Sequence, residues 1–449
     1  MRKVLPILVL SMALGCGTNV TPDPMGVDDG VPGPGSSNRA KGKITGTVWA
    51  PGNAPGMVPA GHEIPVHKAL VYVTNDRPGP IPQETYCDSC NIKGDLFALT
   101  DHDGRFEVEA IPEGNYWLVV EKAQFRIVRE IVVRGEFVSD LPQDFTTLPS
   151  QTNEGRGEWA PKIAIASGSY DSLEDILGKM GFGEVDGSGS FVANSAAGYF
   201  DVYSNGGDID SAAIGTLGDL VSDLNTMLQY HVILVPCSGD TWTSMLYQKD
   251  VLENIREYVG AGGKLYVTDW SGEWADNVFP AQVELAGDVD TPASAYNAGS
   301  GSWNTGSFGN ADGDSSYDSM SSAVDGDLNT WLDGQEGPLT DGGTGTFNPS
   351  GFMVADNWNM IDSLSSVNVG VDENGSPVID DPVTWVQGSA GGGVKPLTVT
   401  YEPTGCGRVL YSTYHTTHDT HTGLVPQERV LLYLLMEIGE CKQGPIAVQ

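Results

Sequence analysis

Near the C-terminus the sequence reads YHTTHDTHTG, which holds three of the chain's seven histidines, His415, His418 and His421. Imidazoles this close together can bind a transition metal, move a proton, or simply cover a solvated loop. A metal would take two of the three with Asp419, or with Asp269 at the end of the apolar run KLYVTD. HxxHxxH is not a common zinc spacing, so the solvated loop stays open as a reading. His415 alone, at the end of the strand-like run RVLYSTY, is an acid–base candidate. With Asp269 and the thiol of Cys237 in HVILVPCSG it would make the centre of a hydrolase, with or without a metal. Asp312, Asp314 and Asp318 in ADGDSSYDS offer oxygen ligands of the kind Ca²⁺ takes. They do not form an EF-hand: Tyr317 stands where the loop needs Gly, and Ala323 where it needs Glu. Zinc or calcium are therefore the ions to expect if any is bound, and no organic cofactor is implied.

Six cysteines are present. The first belongs to MRKVLPILVLSMALGCG, a basic start followed by an apolar run too short to span a bilayer. Its end, Ala13-Leu14-Gly15-Cys16, resembles a bacterial lipobox, in which the cysteine carries lipid and becomes the mature N-terminus. The alternative is an ordinary secretory signal cleaved nearby. Under the lipobox reading, residues 1–16 are signal peptide and lipidated Cys16, and the chain is held to a membrane by its anchor. Gly17 rather than Asp after the cysteine points to the outer membrane. Export implies an oxidising compartment. Cys87 and Cys90, in YCDSC, read as a small loop disulfide, since no second half of a zinc knuckle follows. Cys406 and Cys441 flank the last strand and helix, and pairing them would staple the C-terminus.

The formal net charge is −36. Nothing so acidic neutralises phosphates, which excludes nucleic acid as a partner. The charge is uneven: residues 265–394 contain no Lys, Arg or His. An envelope glycan or another protein is the partner class left.

These residues need elements to position them. Residues 17–42 are Pro-, Gly- and Ser-rich and read as a tether. From there to about 148, short alternating runs such as GRFEVEAI and NYWLVVEK are separated by turn signals, the pattern of an antiparallel β-sandwich. Asp103-Gly104 supplies a turn, and Phe106, Val108 and Ala110 alternate onto one face. The stretch TDHDGRFEVEAIPEGNYWLVVEK resembles the carboxypeptidase regulatory-like domain, a transthyretin-like sandwich, at Thr100, Asp101, Asp103, Gly104, Phe106, Pro112, Gly114 and Tyr116. That family is an accessory module, which implies no catalytic residues there.

From residue 160 to 441, apolar strand runs alternate with helical ones, and this predicts a doubly wound, flavodoxin-like α/β domain. In SLEDILGKMG, Ser172 and Asp175 read as a capping pair. An acidic insertion at about 270–400 should form a subdomain, with helices near SMSSAVDGDLNTWLDG and WNMIDSLS and strands near PVTWVQG and PLTVTYE. Residues 442–449 are a tail. HVILVPCSG, EYVGAGGKLYVTDW and CGRVLYSTYH together resemble the class I glutamine amidotransferase-like fold. Gly262 and Gly263 match its helix end and His415 its catalytic histidine, but the nucleophile position falls near Asp269-Trp270 and holds no cysteine. The resemblance therefore implies the scaffold without the thiolate chemistry. The whole plan is similar to uncharacterised lipoproteins of myxobacteria and related deltaproteobacteria. The expected role is non-catalytic: binding, adhesion or surface structure at the envelope, with a carbohydrate-binding-like sandwich.

Overall fold

The protein was analysed as a computed structural model describing residues 39–87, 96–238, 245–246, 248–286, 296–297, 302–303, 316–338, 344–346, 348, 350–371, 375–404, 406–416 and 421–438. It is mostly β, 38% strand against 20% helix.

Two sheets form the sandwich. One has three strands in the order Arg105–Pro112, Lys41–Thr47, Val138–Asp140. The other has five, in the order Phe97–Leu99, Leu70–Thr74, Gly114–Lys122, Phe125–Val133, Glu158–Trp159. The last pairing carries this layer to Trp159, beyond the expected boundary at 148. The Asp103-Gly104 turn forms as its chemistry demands. Asp101 Oδ1 accepts the Asp103 and Arg105 N–H groups at 3.0 and 2.8 Å, and Gly104 takes φ 72°. Phe106 and Val108 are buried as the alternation requires. Ala110 is not: it takes φ 57° beside a register irregularity, is exposed, and leaves the core position to Ile111. Tyr116 ties its hydroxyl to the Pro112 carbonyl at 2.9 Å.

The second layer is a ten-stranded sheet. Its parallel part runs Gly215–Thr216, Asp201–Ser204, Ile163–Ala166, Val232–Val235, Lys264–Thr268, Arg408–Ser412. Leaving aside the two-residue edge strand, the sequence order of these strands across the sheet is 2-1-3-4-5, the flavodoxin order. Alternation within each strand divides its side chains between two faces. Ile163, Ile165, Val232, Leu234, Tyr266 and Leu410 pack with the Leu173–Lys179 and Pro426–Glu437 helices. Ala164, Ile233, Val235, Leu265, Val267 and Tyr411 pack with the Leu217–Val221 and Lys249–Gly260 helices. Both faces are covered, which is why these strands read as unbroken apolar runs.

The acidic insertion is not a separate subdomain on this sheet. Its strands Gly393–Tyr401, Val383–Ala390, Tyr317–Ala323 and Phe352–Asn357 continue the sheet antiparallel beyond Arg408–Ser412. Two expected helices change. MSSA in the first is strand, and only Gly326–Asp333 is helical, started by Asp325, whose Oδ1 accepts the Asp327 and Leu328 N–H groups. In WNMIDSLS, Ile361–Leu364 is a strand paired with Val283–Leu285. Both segments are short, and a helical apolar spacing over a few residues is overridden by pairing along a sheet edge. The Ser172–Asp175 cap also fails. Ser172 makes no side-chain cap bond, and Asp175 Oδ1 accepts the Phe191 N–H at 2.7 Å instead.

From Ala40 on, the described residues form one compact unit in which the sandwich shares a core with the helices of the second layer. Phe125 meets Phe182 edge-on, and Lys122 is buried against Glu437 at 2.5 Å. The junction is also covalent. Cys87 is bonded to Cys406, 319 residues away, with Cα atoms 5.6 Å apart. This corrects both expected pairings, Cys87 with Cys90 and Cys406 with Cys441. Cys90 and Cys441 lie outside the described residues, as does Cys16. Pairing inferred from sequence proximity missed a bond that only the docking of the layers makes possible. Gly262 is what permits the approach: it has φ 106°, and a Cβ there would stand 2.2 Å from the Tyr86 carbonyl. No helix among the described residues is long and apolar enough to cross a membrane.

Candidate functional site

Three neighbouring parallel strands end together. Val232–Val235 is followed by Cys237, Lys264–Thr268 by Asp269, and Arg408–Ser412 by His415. The C-terminal edge of such a sheet is where ligands bind in open α/β folds. One ligating atom from each of Cys237, Asp269 and His415 lies within 4.8 Å of the others. Asp269 and His415 have no exposed surface, and Cys237 is 2% exposed.

Asp269 occupies a sharp strand-to-helix turn with φ 45°, a conformation that costs a residue with a Cβ of order 1–3 kcal/mol. Four partners hold it there. Its carbonyl accepts Asn359 Nδ2 at 2.7 Å and the Tyr411 hydroxyl at 3.1 Å. Its Oδ1 accepts the Trp358 N–H at 2.7 Å, and its Oδ2 meets His415 Nδ1 at 2.6 Å. Burial raises the Asp269 carboxyl to about 6. Burial opposes charge on His415, but the Asp269 hydrogen bond and carboxylate outweigh it and raise the imidazole above its ordinary value. The two thus form one buried Asp–His pair whose charges support each other.

Cys237 is differently placed. Burial, then the nearby Asp269 and Asp171 carboxylates, push its thiol well above the usual range. This disfavours the thiolate that a cysteine nucleophile needs. Its backbone N–H binds Thr268 Oγ1 at 2.9 Å, and that hydroxyl donates to Asp171 Oδ2 at 2.5 Å. Asp171 Oδ1 in turn accepts both the N–H and the hydroxyl of Thr416. Asp171 thus ties three strand ends together, a role that no motif around it in the sequence announces.

The insertion covers this edge. Asn357 and Asn359 are fully buried, and Asn357 Oδ1 accepts the Thr413 hydroxyl at 2.8 Å. Gln427 Nε2 donates to the His415 carbonyl at 2.6 Å, while its Oε1 accepts the Ala355 N–H at 2.9 Å. Trp358 meets Trp270 edge-on at the rim.

The two described histidines of this loop, His415 and His421, do not converge. His421 lies by Glu428 at 2.8 Å and Lys179 at 3.4 Å, and Glu428 also accepts the Val425 N–H that opens the Pro426–Glu437 helix. His421 therefore serves a helix start rather than the His415 cluster. His418 and Asp419 lie outside the described residues, as do Asp312 and Asp314. Asp318 is exposed, and its Oδ1 accepts the Asp356 N–H at 3.3 Å. Two ion pairs meet the insertion's carboxylates: Lys68 of the sandwich reaches Asp327, and Lys395, on the insertion's own last strand, reaches Asp362 at 2.6 Å.

On the sandwich, a groove of about 420 Å³ is lined by Tyr72, Arg77, Pro80, Ile81, Tyr86 and Arg126 among others. Arg77 lies 5.3 Å over the Trp117 ring, and Arg126 donates to the Gly79 carbonyl at 3.1 Å. Fixed guanidiniums beside apolar and aromatic walls make a surface that can hold a polar ring-shaped ligand.

No family model and no curated protein matches the chain. Among solved structures, it is similar to the minor pilin GBS52 of Streptococcus agalactiae, at 12% identity over 25% of this chain and 45% of the pilin, with a TM-score of 0.17. It is also similar to a type II cohesin–X-dockerin complex from Acetivibrio cellulolyticus, at 18% identity over 30% of this chain and 70% of that one, TM-score 0.17. The cytoplasmic protein STM3548 of Salmonella typhimurium overlaps 62% of this chain and 99% of its own at 12% identity and a TM-score of 0.30. The chain thus spans less than half of the pilin, and overlaps this shallow transfer no activity or partner to it.

Proposed function

We propose that the chain is an exported lipoprotein, anchored at the outer membrane through Cys16, that acts without catalysis in binding, adhesion or surface structure. One observation carries the reading. The strand-end edge where an α/β enzyme would receive its substrate is filled by the chain's own Asn357–Asn359 segment, and Asp269 and His415 beneath it are wholly buried and spent on each other. The strand order, the φ 45° turn at Asp269 and the position of His415 support descent from a class I amidotransferase-like scaffold in which a carboxylate took the elbow. The transthyretin-like, carboxypeptidase regulatory-like sandwich then supplies the working surface, and its groove suits an envelope glycan.

A hydrolase is the second reading, and the convergence of Cys237, Asp269 and His415 favours it. One set of assays separates the two: titration of envelope polysaccharide fragments against wild type and Arg126→Ala, and a hydrolase substrate panel against wild type and His415→Ala. Binding lost in Arg126→Ala, with no turnover by wild type, is the expected result. Turnover that His415→Ala abolishes would reverse the ranking. The anchor is tested apart, since Cys16→Ser should move the protein from membranes to soluble fractions.

A further inference from the structure

A second group of ligating side chains converges where the sandwich, the insertion and the last helix meet. His67 precedes the Leu70–Thr74 strand, His102 sits in the TDHDG turn, and Asp327 lies in the first turn of the Gly326–Asp333 helix. One donor atom from each lies within 4.8 Å of the others. His102 Nε2 stands 3.3 Å from Asp327 Oδ1. That is long for an N–H···O hydrogen bond, whose usual length is about 2.9 Å. The two groups are near enough for one ion to reach both once the His102 ring turns.

The surroundings are those of a metal site. His67 is buried, and its Nδ1 faces the Tyr433 hydroxyl at 3.4 Å, which leaves Nε2 as the nitrogen to ligate. The side chains of His102 and Asp327 are 32% and 37% exposed, so an ion can enter. A cation already stands in the place: the Lys68 ammonium contacts Asp327 Oδ2. We propose that His67, His102 and Asp327 bind a divalent metal of the zinc class and so clamp the sandwich to the insertion. Two nitrogens and one carboxylate favour zinc over calcium, which takes oxygen. Water would complete the coordination.

The two imidazoles are stacked, with centroids 4.0 Å apart and planes at 17°. Parallel rings cannot both aim a lone pair at one ion. On binding, the more exposed His102 ring turns out of the stack while His67 stays, and the Lys68 ammonium leaves Asp327. Lys68 is therefore a built-in competitor, and this sets the site apart from adventitious surface histidines.

The test is calorimetric titration of Zn²⁺ into the metal-stripped mature protein at pH 7.5, with melting measured alongside. One equivalent should bind and raise the melting temperature, while Ca²⁺ at the same concentration should not. His102→Ala and Asp327→Asn should each weaken binding at least about tenfold, two donors of three being too few for a tight site. Lys68→Met should tighten it several-fold, and Cys237→Ser should leave it unchanged. His102 is partly exposed, so its removal leaves the fold standing and the result readable. No binding to the wild type, binding undiminished in both His102→Ala and Asp327→Asn, weaker binding in Lys68→Met, or loss in Cys237→Ser would each overturn the proposal.

Discussion

Replacing Cys87 and Cys406 together by Ala removes the bond that closes a loop of 319 residues. In the chain-entropy account the cross-link restricts the unfolded chain by 2.1 + 1.5R ln n entropy units, about 6 kcal/mol at 25 °C for a loop of that length. Measured losses run lower, about 2–5 kcal/mol, because unfolded chains keep some compactness. The native state should change little. The Thr85 N–H and hydroxyl still bind the Leu228 and Tyr230 carbonyls at 2.9 and 2.7 Å, and His231 Nε2 remains 2.9 Å from the Pro82 carbonyl. The segment stays docked without its covalent bond. The expected result in urea is therefore a loss of about 3–5 kcal/mol, with a steeper denaturant dependence as the freed unfolded chain exposes more surface. Peptide mapping under non-reducing conditions should recover Cys87 linked to Cys406. A map linking Cys87 to Cys90, or a double variant within about 1 kcal/mol of wild type at unchanged slope, would refute the argument.

Asp269→Asn should flatten the pH dependence of stability. Asp269 is raised in the fold to about 6 and His415 above its ordinary value, so both contribute stability present at low pH and lost as pH rises through those folded values. Urea midpoints from pH 4 to 8 should fall for wild type relative to the variant; parallel curves would show that the pair does not titrate as described. Lys122→Met should cost about 3–5 kcal/mol by taking the buried ammonium from the Glu437 carboxylate, while Lys122→Met with Glu437→Leu should recover most of the loss. Equal losses in the single and double variants, measured by thermal melts, would mean that packing rather than charge is at stake.

Local patterns were legible wherever a few consecutive residues settle the structure. The Asp103-Gly104 turn and the apolar parallel strands both formed, since each depends on φ preference or alternation within one segment. The convergence of Cys237, Asp269 and His415 could be read because each ends a recognisable strand. What failed depended on partners distant in sequence. MSSA and IDSL carry too few residues to decide between helix and strand, and the sheet edge decided for them. The Cys87–Cys406 bond needed the layers docked, and Gly262 was the one local sign that backbones approach closely there. His67 and His102 drew no notice, because 35 positions separate them and their third partner, Asp327, lies in the insertion.

The insertion explains why a site with the right residue types is so deeply closed. It leaves the sheet after Asp269 and returns through Gly393–Tyr401 beside the strand that leads to His415, so its two ends bracket the cluster. On the way it lays Trp358 and Asn359 over the Asp269 turn, so the strained backbone is held by the segment that covers it. Strain of this kind persists only where surrounding contacts over-determine it. Here they meet the carboxylate itself, and His415 Nδ1 takes its second oxygen. The same insertion carries Asp327 to the sandwich histidines. One segment thus covers the strand-end edge and joins the second layer to the first. Asp327, at that junction, takes its cation from the sandwich through Lys68, while Asp362 is met by Lys395 on the insertion's own last strand.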